Sequence, residues 1–136
     1  MDSATYKEHE NCIRKMIIII DLTHRNLRFI LRHISKDDPS IFHDVDEFAV
    51  TAPITLTPTW LAKEATRIGD ENARSKERPY SNVEIHIEKG FGSDQDVVYA
   101  RDRLYRNGWH SIDEECLKFV SHYKEEENKT WLKKRN

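Results

Sequence analysis

The run MIIII at residues 16–20 is the longest unbroken apolar stretch of the chain, with Lys15 before it and Asp21 after it. It shows no alternation, and four successive isoleucines are β-branched, which disfavours a helix interior. A strand buried on both faces, as in the middle of a parallel sheet, fits this pattern. The competing reading is one long helix from about Thr5 to Ser35. On it Ile13, Ile17, Ile20, His24, Leu27, Leu31 and Ile34 recur at alternating spacings of four and three. That seam leaves Ile18, Ile19, Leu22, Phe29 and Ile30 outside, so the strand is preferred. It ends at Asp21, and Thr23 then caps a helix to about Ser35. Leu27, Ile30, Leu31 and Ile34 form that helix's inner face, with Arg25, Arg28 and Arg32 mostly outside.

Beyond Asp37-Asp38-Pro39, residues 41–49 read as a helix and residues 54–56 as a short strand. Thr57-Pro58 opens a helix with proline at its first position, running to Ile68 and stopped by Gly69. Asn82–Glu88 (NVEIHIE) alternates with period two, which predicts a strand with one wetter face near a sheet edge. After the turn at Gly90-Phe91-Gly92, Ser93 or Asp94 caps a helix to Tyr105, and Asn107-Gly108 ends it. Residues 109–111 fit a short strand. A last amphipathic helix is expected over 112–124, with Ser111-Ile112-Asp113-Glu114 as its capping box. Strands alternating with helices predict an α/β three-layer sandwich, a short and mostly parallel sheet flanked by helices. The alternative is a mainly α protein with the long N-terminal helix.

Composition sharpens this without changing it. The 136 residues suit one domain, with a hydrophilic extension at 1–15 and a charged tail at 125–136. Lys plus Arg number 22 against 24 Asp plus Glu, a net charge of −2, which argues against a purely electrostatic coat for nucleic acid. No apolar stretch approaches the length of a spanning helix, and no secretory leader is apparent. With two cysteines and no CxxC pair, a cytoplasmic protein is expected.

In open parallel sheets, functional groups gather beyond the carboxyl ends of the strands. Asp21 stands at such a position. Glu64 in the first turns of the Thr57 helix, Asp94 or Asp96 at the start of the Ser93 helix, and Asp113 after the last short strand occupy comparable junctions. Convergent carboxylates would suit Mg²⁺ or Mn²⁺, which can activate water at a phosphodiester. Equally, acids collect at helix starts because they favour the dipole there. Arg25, Arg28, Arg32 and Arg101 could hold RNA phosphates beside such a rim, or be solvated helix faces. No HExxH or zinc-finger spacing exists among the seven histidines.

The run IIIIDLTHRNLRFILRHISKDDP resembles the opening of PIN-domain ribonucleases, an apolar strand ending in a metal-binding Asp and followed by an amphipathic helix. ITLTPTWLAKEATRI looks like that family's second motif, with Glu64 as its acid. SDQDVVYARDRL is similar to the third, with Asp96 or Asp94, and WHSIDEECLKF echoes the fourth, with Ser111 and Asp113. Leu22 departs from the small polar residue usual after the first Asp. The resemblance implies a metal-dependent endoribonuclease acting on single-stranded RNA, or a degenerate relative. Asp21, Glu64, Asp96 and Asp113 would be its catalytic set, and Asp21, Asp94, Asp96 and Asp113 its metal ligands.

A reading from another class needs no convergence of acids. The chain would be a small non-enzymatic regulator or inhibitor, of the immunity, antitoxin or phage type, that binds a protein partner. A homodimer through residues 13–34 is one form it could take.

Overall fold

The structure is a computed structural model that describes residues 12–50, 57–74, 82–88, 94–113 and 117–121. In chain order the elements are β1 (Cys12–Asp21), β2 (Asn26–Ser35), β3 (Phe42–Val50), α1 (Pro58–Arg74), β4 (Asn82–Glu88), α2 (Asp94–Arg106), β5 (Trp109–Asp113) and β6 (Lys118–Ser121). The strands form one six-stranded mixed sheet in the order β3-β2-β1-β4-β6-β5. Among the described residues only β1 and β4 run parallel, and the other four neighbouring pairs are antiparallel.

This corrects the expected mostly parallel, PIN-like sheet and, with β1 and β2 both extended, the long N-terminal helix as well. The largest departure is β2, where a helix was expected over 23–35. Asp21 does act as a cap: its Oδ1 accepts the backbone N–H of Thr23 and of His24, both at 3.0 Å. The helical turn it starts goes no further, because Arg25 adopts a left-handed φ of 52° and sends the chain back along β1. Along β2, Leu27, Phe29 and His33 are buried with period two. Ile30 and Ile34 fall on the opposite face, so the segment is apolar on both sides and satisfies either periodicity.

The remaining corrections follow the same physics. Where a helix was expected over 41–49, residues 42–49 belong to strand β3, whose register with β2 shifts so that Val45 is an extra residue between Asp44 and Asp46. Of the helix expected over 112–124, residues 112–113 belong to β5 and residues 118–121 to β6, in which Phe119 and Ser121 point to the core, and residues 114–116 and 122–124 lie outside the described residues. Asn82–Glu88 is a strand as expected, but an interior one, between β1 and β6. The strand expected at 54–56 and the turn at 90–92 lie outside the described residues.

Both described helices pack on one face of the sheet. Leu61, Ala62, Ala65, Ala100 and Leu104 meet Met16, Ile18, Ile20, Leu27, Phe29, Val83, Ile85, Ile87, Trp109 and Phe119 in one core. Thr57 caps α1, its Oγ1 accepting the Trp60 N–H at 3.2 Å. Gly69 does not end that helix. It lies inside α1 against the fully buried Trp109, where a Cβ would come within 2.6 Å of the indole. Trp109 Nε1 donates to Asp70 Oδ1 at 3.2 Å, which fixes the ring. At the end of α2, Gly108 takes a φ of 84°, as the sequence leads one to expect.

The opposite face of the sheet is mixed in character. Ile17 and Ile19 are buried there, so β1 is buried on both faces. Around them the register sets Lys15, Arg28, Arg32, Glu84, His86 and Glu88.

Candidate functional site

Parallel neighbours bring their carboxyl ends to one rim, and in β1 and β4 those ends are Asp21 and Glu88, which are register partners. Both carboxylates attach to Arg28, which extends from β2. Its Nε lies 3.5 Å from Asp21 Oδ2, its Nη1 donates to Glu47 Oε1 of β3 at 3.4 Å, and its Nη2 pairs with Glu88 Oε2. One guanidinium thus joins acids from three strands, spanning two strand spacings, roughly 10 Å, to reach β4.

Asp21 is the anchor of this cluster, only 3% exposed. His24 Nδ1 donates to its Oδ2 at 2.9 Å, in addition to the two backbone donors on Oδ1. Burial pushes the Asp21 carboxyl up, but the His24 backbone and ring donors and the Arg28 charge outweigh it. The net result is a pKa below the ordinary aspartate value. Along the same face, Glu84 is buried between Lys15, with which it forms an ion pair, and His86, whose Nε2 donates to it at 2.9 Å. Here too burial pushes the carboxyl up, and the His86 and Lys15 contacts outweigh it and leave the pKa lowered. Arg32 donates to Asp44 Oδ1 at 2.7 Å and lies over the Phe42 ring.

The acids nominated from the sequence do not gather here. Glu64 pairs with Arg67 on α1. Asp94 and Asp96 sit in the first turn of α2, Asp94 exposed and Asp96 half-buried. Asp113 ends β5, where its backbone is in register with Lys118 of β6, three strand spacings or roughly 14 Å from the Asp21 strand. Among the described residues no three carboxylate, imidazole or thiol groups are disposed to hold a metal ion. The Asp21 oxygens already accept from two backbone N–H groups and the His24 ring and lie beside the Arg28 charge, and Glu47 and Glu88 are tied to the same guanidinium. This donor set does not fit Mg²⁺ or Mn²⁺, whose demand for near-octahedral oxygen ligation it does not meet.

The arginines nominated for RNA fare similarly. Arg28 and Arg32 are committed to carboxylates, so a phosphate would have to displace intramolecular partners. Arg25 lies in the β1–β2 turn, and Arg101 is half-buried on α2. Sequence reasoning missed Glu88 and Glu47. The rule that singled out Asp21, an acid closing an apolar strand, applies equally to Glu88 at the end of NVEIHIE. Glu47 was hidden by the helical reading of residues 41–49.

A second surface was also concealed by that reading. All nine residues of β3 are exposed, and β3 is the terminal strand of the sheet among the described residues. Phe42, Val45, Phe48 and Val50, with Ile41 just before them, are each close to half exposed or more. Phe48 stacks on Phe29 at 5.0 Å between ring centroids, so Phe48 and Val50 continue the helix-side core, while Phe42, in register with Ile34, lies on the opposite face. Asp44, Asp46 and Glu47 lie among these apolar groups, with no Lys or Arg in the strand. No helix among the described residues is long and apolar enough to cross a membrane. Comparison with family models, characterised proteins and solved structures finds nothing that matches this chain.

Proposed function

We propose that the chain is a non-enzymatic regulator that acts by binding another protein through the β3 side of its sheet. The observation that carries this reading is that β3, the terminal strand among the described residues, exposes large apolar side chains on both faces, Phe48 and Val50 on the helix side and Phe42 on the other. Phe48 and Val50 are neighbours on one face with Asp46 beside them, and exposed apolar groups that sit together beside charge mark an interaction surface, whereas scattered single hydrophobes do not. The Asp21 cluster supports the same reading from the other side. Its carboxylates are neutralised within the molecule, so they hold β1, β2, β3 and β4 together at one rim and present a rigid edge.

The test is site-specific photo-crosslinking, with the reactive group at Phe48 and, as control, at Tyr99, which is exposed on α2. In extracts of the cells of origin, the Phe48 probe is expected to give a discrete protein adduct and the Tyr99 probe none. In parallel, the unmodified chain is incubated with single-stranded RNA and Mg²⁺ or Mn²⁺. RNA cleavage that chelator stops and Asp21→Asn abolishes would overturn the regulator reading in favour of the ribonuclease. Adducts of equal yield from both probes would also contradict it.

A further inference from the structure

Resting on that reading, we infer that the partner is an extended segment alternating basic and apolar side chains, which adds to β3 as a seventh strand. A terminal strand presents unpaired N–H and C=O groups along its outer side, and a segment that pairs with them gains main-chain hydrogen bonds. The straight stretch from Asp46 to Val50, in unbroken register with residues 27–31 of β2, provides five residues of such an edge.

The two faces of that stretch differ, and they specify what lies beside them. On the helix side, Asp46, Phe48 and Val50 follow the face of Leu31, Phe29 and Leu27, and the stacked Phe29–Phe48 pair ends in a half-exposed ring. An apolar side chain of the added strand would cover that ring. On the other side, Glu47 follows the face of Ile30 and Arg28. A Lys or Arg there would meet a carboxylate that shares its one guanidinium with Asp21 and Glu88. Cross-strand aromatic–aliphatic and opposite-charge pairs are the units that stabilise such an addition.

The charge pattern also selects against a second copy of this chain. A fully overlapped antiparallel pair of β3 strands would set Asp46 opposite Asp46, and the extra residue at Val45 would interrupt the ladder in both copies. Like charges directly opposite are destabilising, and bulges and edge charges are common guards against self-pairing. The edge is therefore closed to itself and open to a basic strand.

The experiment uses a fluorescein-labelled heptapeptide of alternating lysine and valine, the full chain, and anisotropy titration. Saturable binding is expected, weakened about tenfold or more in Glu47→Lys and in Phe48→Ser, with folding of each variant checked by circular dichroism. A peptide with glutamate in place of lysine is expected not to bind. A lysine–valine peptide N-methylated at alternate residues, which keeps its side chains but loses the edge donors, is also expected not to bind. Equal binding of the N-methylated peptide would overturn strand addition while leaving the regulator reading standing. Absence of binding by the lysine–valine peptide would overturn the basic-strand assignment, and the Phe48 crosslink would then judge the regulator reading separately.

Discussion

Replacing Gly69 with alanine isolates one packing decision on which the helical layer depends. In an exposed helix the change would stabilise by about 1 kcal/mol, because glycine is the poorer helix former. Here a Cβ would lie 2.6 Å from Trp109 Cζ2 and 2.7 Å from Cη2, with Ile85 Cδ1 at 3.5 Å. Carbon atoms prefer roughly 3.5–4.0 Å, so the indole must retreat by about 1 Å. Trp109 is fully buried and held by Asp70, which leaves it little room to do so. Overpacking of this kind costs about 1–3 kcal/mol, and disturbing the indole hydrogen bond adds about 1 kcal/mol. Set against the helix gain, Gly69→Ala is expected to destabilise by about 1–3 kcal/mol in urea unfolding followed by circular dichroism. The same substitution in a Trp109→Phe background should cost far less, since phenylalanine lacks the atoms that collide. The double-mutant cycle should then show a coupling of about 1 kcal/mol or more. Wild-type stability in Gly69→Ala, or strict additivity in the cycle, would refute the close approach of α1 to β5.

Other expectations concern the charged groups. Because the folded Asp21 pKa is lowered, its contribution is complete above the ordinary carboxylate range and is lost as pH falls through the folded value. Asp21→Asn should therefore be less stable than wild type at neutral pH, by about 1–2 kcal/mol, and the gap should close below about pH 4. This reverses the outcome expected for a cluster of mutually repelling acids, and chemical denaturation across pH measures it. Glu84→Leu alone should lose about 2–3 kcal/mol by leaving Lys15 without its carboxylate, while Lys15→Met with Glu84→Leu should recover most of that loss. Millimolar Mg²⁺ or Mn²⁺ should leave the melting temperature unchanged, since Arg28 already occupies the carboxylates at the rim; a saturable rise would show that a metal binds.

What could be read from the sequence depended on how many readings each segment allowed. The isoleucines of β1 admit only one comfortable home, an interior strand, and Asp21 at its end was legible for the same reason. Asn82–Glu88 was legible through strict alternation, and α2 through its acidic start and Gly108. By contrast, β2 carries apolar side chains on both faces, so Leu27, Ile30, Leu31 and Ile34 imitate a helix as well as Leu27 and Phe29 describe a strand. What decides between them is the left-handed Arg25, a single backbone angle with no glycine or asparagine to announce it. Gly69 reads locally as a stop signal, and only Trp109, forty residues later, explains why it lies inside a helix. The rim cluster was half visible: Asp21 follows from one strand, but Glu88 and Glu47 join it only through sheet order, and their link is Arg28, which had been set aside for phosphate.

The most direct measurement of the β3 assignment is amide hydrogen exchange of the full chain with and without the lysine–valine peptide. Protection on binding is expected to concentrate in residues 46–50, whose outward amides gain partners, with smaller changes in β2 behind them. Protection centred instead on α1 or α2, or no change in β3 under conditions where the peptide is bound, would contradict the account.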